Sequence, residues 1–262
     1  MKRPYDRQGP KRQAAGDDSD RGSAAPEPQT DPARAEGIPA RRAAALALLR
    51  VESEGAFVSR LDPEAAGALD PRERRQATEY LSGVTRHRRW LDFLIDQLYH
   101  RGIDQLDSRP KIVLRMGLYD LLLAHRPPHA AVSQAVELCR VMGAERAAGL
   151  VNAVLREALR RGDVLPEPDT GDPAEDLAIR TSHPTWMVRR WLERFGLEET
   201  LALLKWNNAR PRHSLRINLR VASPAMLQAE LDRMEIRWWP GRFLEEILWV
   251  ELLQPVLAQG LH

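Results

Sequence analysis

The sequence predicts a mainly α protein: a helical bundle over residues 38–162, then a smaller helical block and the start of an incomplete α/β subdomain. Three observations carry that expectation. Apolar residues recur at three- and four-residue spacing throughout 38–162, the period of a buried helix face. The stretch DVLPEPDTGDP, residues 163–173, has the proline, aspartate and glycine content of a linker. Beyond it Leu215, Ile217, Leu219 and Val221 alternate with Arg216, Asn218 and Arg220, the period of a strand.

Residues 1–37 are rich in Pro, Gly, Ser, Asp and Ala and read as a disordered tail. A first helix is expected at 40–53. Asp70-Pro71-Arg72-Glu73 is a start signal: an N-cap aspartate, proline at the first helical position and a glutamate three residues after the cap. That helix should run to about Arg86. The next begins near Arg88 with Leu91, Leu94, Ile95 and Leu98 inward, and Ile112, Met116, Tyr119 and Leu123 line a third. Pro127-Pro128 breaks the chain before Val132, Ala135, Val136 and Cys139 open another face. In GLVNAVLREALRR, residues 149–161, Leu150, Val151, Val154, Leu155 and Ala158 form the buried stripe. Asn152 beside it is expected to make a buried structural hydrogen bond. After the linker, a helical block covers about 174–206, with Trp186, Trp191 and Trp206 as core residues. A strand, a helix at 224–234 and a strand-like end near 247–250 follow, although two strands alone make a marginal sheet.

Composition narrows the function classes. With 43% hydrophobic residues the chain can bury a core. A single cysteine, Cys139, excludes a disulfide framework or a multi-cysteine zinc site. His125 and His129 flank two prolines without a set of carboxylate partners, so no metal is expected there. No apolar run suits a bilayer or a signal peptide, so a soluble cytoplasmic protein is expected. Net charge is only +2, but residues 38–162 hold 20 basic against 15 acidic side chains, while 163–262 hold 12 against 15.

LDPRERRQATEYLSGVTRHRRWLDFLI, LRMGLYDLL, PPHAAVSQAVEL and GLVNAVLR, in that order, resemble the NusB family of helical RNA-binding domains. Such domains occur in transcription antitermination factors and in some ribosomal RNA methyltransferases. Ser133-Gln134 departs from the Asn-Glu pair of many members. SHPTWMVRRWLERFG and NNARPRHSLRIN resemble the connecting region of RsmB-type (Sun/Fmu) methyltransferases, which act on cytosine C5 of 16S ribosomal RNA with S-adenosylmethionine. In that family LLQPVLAQG would lie just before the catalytic domain, so the resemblance implies a recognition part without its catalytic domain. A NusB-like antitermination module working with a small ribosomal protein is the alternative, and the residues after 162 argue against it.

Methylation at C5 needs a thiolate that adds to the ring and a loop that holds the cofactor. No strand followed by a Gly-rich loop is found, and Cys139 lies on an apolar helix face, where cysteine is usually an inert small hydrophobe. This chain alone is therefore expected to bind RNA and not to methylate it. The candidate RNA contacts are arginines. Arg41 and Arg42 stand in a first helical turn, where the helix dipole disfavours cations, so folding alone does not explain them. Arg86, Arg88 and Arg89 lie where one helix ends, and cations there suit the dipole with or without RNA. Arg156 and Arg160 are a like-charge pair four residues apart that phosphate would relieve. Arg210, Arg212, Arg216 and Arg220 surround a loop and strand, with Arg216 and Arg220 expected on one sheet face.

Overall fold

The computed structural model describes residues 37–54, 67–210, 213–251, 253 and 256. The expected N-terminal tail, Arg212 and most of LLQPVLAQG lie outside them. The bundle consists of α1 (Ile38–Glu54), α2 (Pro71–Arg86), α3 (Arg88–Leu98), α4 (Ser108–Leu122), α5 (Pro128–Val141) and α6 (Ala148–Arg161). Helix α2 opens as its sequence implies: the Glu73 N–H donates to Asp70 Oδ1 at 2.8 Å, and the Asp70 N–H donates to Glu73 Oε2 at 3.1 Å.

Helix α4 occupies the middle. Ile112, Val113, Leu114, Met116 and Leu118 are all buried, so its apolar surface runs round the whole helix. A helix of that kind must be surrounded, and α1, α2, α3, α5 and α6 all pack on it. Two glycines permit the close approach. A Cβ on Gly83 of α2 would lie 2.4 Å from the Tyr119 ring, and one on Gly117 would lie 2.7 Å from Leu155 Cδ1 of α6. Arg115 is buried on the same helix. It forks onto Asp92 of α3 at 2.5 and 3.0 Å and reaches Glu52 of α1 at 2.9 Å. One satisfied guanidinium thus ties three helices together.

The helical block comprises α7 (Pro173–Arg180) and α8 (Thr185–Asn208). Gly196 interrupts α8 at φ 75° and ψ −179°, a backbone region open mainly to glycine. Val188 and Leu204 share one small core with Ala178. In a straight helix these two would stand roughly 24 Å apart, at 1.5 Å per residue. The Asn208 side chain returns far enough to donate to the Thr181 carbonyl at 2.8 Å. Helix α8 is therefore a helical hairpin, folded back at Gly196. Of the three expected core tryptophans only Trp191 packs against this core, while Trp186 and Trp206 are 59% and 69% exposed. Each sits two residues from a buried position, Val188 or Leu204, which turns it to the far side of its helix.

The last unit is β1 (His213–Arg216), α9 (Pro224–Arg233), β2 (Trp238–Pro240) and β3 (Ile247–Val250). The strands form one antiparallel sheet in the order β1-β3-β2. Its core is Ile217, Leu231, Ile236, Leu248, Val250 and Val256. The alternation through Val221 overstates β1, which ends at Arg216. Asn218 Oδ1 accepts from the Arg220 N–H at 3.1 Å and turns the chain, as asparagine does in turns. Leu219 and Val221 consequently stand 63% and 77% exposed, and Arg220 does not share a sheet face with Arg216. Strand β2, which the sequence reading did not contain, raises the sheet to three strands. No helix among the described residues is long and apolar enough to cross a membrane.

Candidate nucleic-acid interface

Arg41 is a core residue, 3% exposed. Its guanidinium meets Asp120 of α4 at 3.1 Å and lies 5.0 Å above the centre of the Tyr80 ring. The Tyr80 hydroxyl donates to the same carboxylate at 2.8 and 2.9 Å, and Arg126 Nε completes the ion cluster 2.9 Å from Asp120 Oδ1. The expectation that Arg41 faces RNA is corrected by this placement. A cation set against the helix dipole is explained here by a buried carboxylate that requires it. The readable clue was Asp120 itself, an acid inside the otherwise apolar LRMGLYDLL, which could be buried only with partners.

Burial, and then the Asp120 carboxylate, push the Tyr80 phenol well above its ordinary range. A folded-state pKa above the unfolded value of about 10 contributes stability that is complete below that pH and is lost above it. The urea midpoint should therefore begin to fall at about pH 10 and keep falling above it, and Tyr80→Phe should flatten the fall. Parallel losses in both proteins would place the titrating group elsewhere.

Arg42, one residue on from Arg41, is exposed. Arg86 is half-buried in the last turn of α2, and Arg88 is exposed at the start of α3. Arg88 lines a small cleft with Leu48, Val51 and Thr85, which puts it at the opposite end of α1 from Arg42. Arg89 faces the helical block. It donates to the His183 carbonyl at 2.8 Å and to Thr185 Oγ1 at 2.9 Å, and it pairs with Glu175 at 3.3 Å. Beside it the Trp90 N–H donates to Ser182 Oγ at 2.8 Å, and Arg180 lies 5.4 Å above the Trp90 ring. Arg89 thus joins bundle to hairpin, a correction to its expected phosphate role. Its partners lie some ninety residues away (86 to 96), which is why no local pattern announced them. His87, in the same corner, is held below the ordinary histidine range by burial first and then by Arg86 and His183.

On α6 the expected repulsion of Arg156 and Arg160 is relieved within the helix. Asn152 Oδ1 accepts from Arg156 Nε at 3.0 Å. Glu157 takes both Arg160 and Arg161, the latter at 2.8 Å. Asn152 is half-buried, and its bond lies at the surface. It therefore positions an exposed arginine and does not make the buried bond expected of it. Arg210 is exposed after α8, and Arg212 lies outside the described residues. The Arg216 side chain is 76% exposed and 3.6 Å from Glu246. The structure gathers Arg86, Arg88 and Arg89 at one corner and leaves Arg42, the α6 arginines and the sheet arginines as separate sites.

Residues 38–160 match the NusB family, and residues 183–256 match the ferredoxin-like domain described as Methyltr_RsmF/B-like. A ribosomal RNA small subunit methyltransferase B of Pseudomonas putida is 34% identical over 180 residues, covering 69% of this chain and 40% of that protein. The protein of that name from Escherichia coli O1:K1 / APEC is 29% identical over 219 residues, covering 83% and 49%. The chain thus spans about half the length of the curated relatives it matches. The crystal structure of PH0851 superposes with a TM-score of 0.55 at 17% identity, over 84% of this chain and 49% of that one, a likeness of fold.

Proposed function

We propose, from the premise that this chain joins a NusB-family domain to a ferredoxin-like domain of the RsmF/B type, that it is the RNA-recognition part of a small-subunit ribosomal RNA methyltransferase. The reaction served is methyl transfer from S-adenosylmethionine to cytosine C5, in the cytoplasm. The observation that carries this reading is the second domain. A NusB-like antitermination module accounts for the bundle but not for the ferredoxin-like unit.

The described residues suit recognition and do not suit the chemistry. Cys139 is fully buried, its thiol donates to the Ala144 carbonyl at 3.0 Å, and burial pushes its pKa up. A nucleophile needs the opposite, an accessible thiolate. The connection from β1 to α9, Ile217–Ser223, contains no glycine to cradle a cofactor phosphate or carboxylate. These residues do not fit S-adenosylmethionine. Arg42, Arg86, Arg88, Arg156 and Arg160 remain as phosphate contacts on the bundle, with Arg210 and Arg216 beyond it.

The test is salt-dependent binding to small-subunit ribosomal RNA fragments. Each phosphate contact contributes about 0.7 to the slope of log affinity against log salt on single strands. Replacing Arg42 and Arg88 with glutamine should lower the slope by about that amount per contact and weaken binding. A control pair, Arg101→Gln with Arg109→Gln, removes equal charge near the far end of α3 and should do less. Equal effects would mean that only diffuse charge is sensed. No effect of either pair would move the RNA surface off the bundle.

A further inference from the structure

Helix α7 ends in a turn that holds serine where glycine is the usual residue. The His183 N–H donates to the Ala178 carbonyl at 2.9 Å and the Ser182 N–H to the Ile179 carbonyl at 3.1 Å, the pair of bonds that closes a helix through a left-handed residue. Ser182 is that residue, at φ 56°, in a region that strains a side chain with a Cβ. Glycine would relieve the strain but could not supply a hydroxyl. That hydroxyl accepts from the Trp90 N–H at 2.8 Å. Trp90 is the third residue of α3, whose own N-cap, His87, makes no side-chain cap. Ser182 thus caps α3 from the neighbouring unit.

The same turn is braced from both units. Arg89 of α3 donates to the His183 carbonyl and to Thr185 Oγ1, and Glu175 of α7 pairs with Arg89. From the far end of the hairpin the Asn208 side chain donates to the Thr181 carbonyl at 2.8 Å. The turn therefore grips both arms of α8 and the start of α3 together. The stretch 163–172 is itself tied down at several points. Leu165 and Ile179 pack on the bundle core, Glu167 pairs with Arg180, and Asp172 caps α7 by accepting from the Ala174 N–H at 3.0 Å. Arg88 lies two residues before Trp90, and Arg210 lies two residues after Asn208; both are exposed. Two residues span at most about 7 Å, so the turn ties both arginines to one joint.

We propose that Ser182 and Arg89 are positioning residues for RNA: they clasp the hairpin to the bundle, so that Arg88 on one unit and Arg210 on the other meet a single strand at a fixed spacing. The proposal rests on the RNA-binding reading above and adds how the two units act together. Two contacts carried on one rigid body bind at a high effective concentration, whereas a loose joint dilutes the second contact. Backbone strain persists where the surrounding structure requires it, and at Ser182 the requirement is the bond to α3. Arg89 acts through the same joint, because its guanidinium is taken up by the turn and by Glu175.

Hydrogen exchange of the Trp90 N–H in the 262-residue chain reads the clasp without RNA. S182G relaxes the turn and removes only the hydroxyl, so exchange should quicken about 2- to 12-fold, the worth of one hydrogen bond, with helical circular dichroism unchanged. Unaltered exchange overturns the clasp. Anisotropy of an end-labelled single-stranded fragment of small-subunit ribosomal RNA reads the positioning role. S182G combined with R89Q should weaken binding on the order of 10-fold. In an R210Q background the same pair should cost little, because the contact to be positioned is already gone. An equal loss in both backgrounds, the mark of a phosphate bound by Arg89 or of general loosening, overturns the positioning role, as does no loss in either. Absence of binding by the wild type fails the RNA reading and the positioning role with it, whereas the exchange result reads the clasp either way.

Discussion

Replacing Asp120 with alanine is expected to cost the bundle about 3–5 kcal/mol, the range for breaking a buried ion pair from one side. Asp120 is 2% exposed and serves Arg41, Tyr80 and Arg126 together. Its removal strands the Arg41 charge at 3% exposure and leaves the Tyr80 hydroxyl without its acceptor. Neither can be rehydrated without opening the contact between α1 and α4. A cycle with Arg41→Met identifies the source. The double variant should recover part of the loss, because the stranded charge is gone. Urea unfolding checks both steps, and a loss from Asp120→Ala under about 1 kcal/mol would mean that the cluster is hydrated.

Gly83→Ala is expected to destabilise in spite of alanine's better helix propensity. The new methyl would lie 2.4 Å from the Tyr119 ring, and that ring already meets Tyr80 edge-on at 6.1 Å between centroids. Overpacking costs about 1–3 kcal/mol, while the exchange of glycine for alanine in a helix returns about 1. A net loss of up to about 2 kcal/mol follows. Gly149→Ala, in helix α6 with no atom near its added Cβ, should be neutral or slightly stabilising. Trimming the ring with Tyr119→Leu should make Gly83→Ala tolerable again. If Gly83→Ala raised the thermal midpoint instead, α2 and α4 would not be in contact as described.

Local pattern carried much of this protein. The Asp70-Pro71-Glu73 cap, the helix periods and the Pro127-Pro128 break each act within a few residues, so the bundle helices could be read in order. The same holds for α9 and for β3. The failures share one cause. Arg41 and Arg89 looked like surface cations because their partners, Asp120 at a separation of 79 residues and the His183–Thr185 turn beyond that, are invisible locally. Helix α8 read as one block because periodicity does not register a reversal, whereas Gly196 at positive φ makes one.

By itself the sequence determined the mainly helical class and the helices of the bundle at 38–162, because hydrophobic period and capping chemistry are short-range, and its motifs carried the resemblance to the NusB family. Only the tertiary structure decided which arginines are available to RNA. That choice depends on where each side chain finds a counter-charge. Arg41 meets a desolvated carboxylate and Arg89 a polar turn, so folding consumes both. Arg42 and Arg88 end in solvent, where a phosphate can still reach them. The sheet was decided in the same way: β2 is recruited by pairing with β3, and that pairing sets Trp239 beside Trp249. Neither residue's own surroundings in the chain specify the other, because strand register is fixed by the buried face shared with α9.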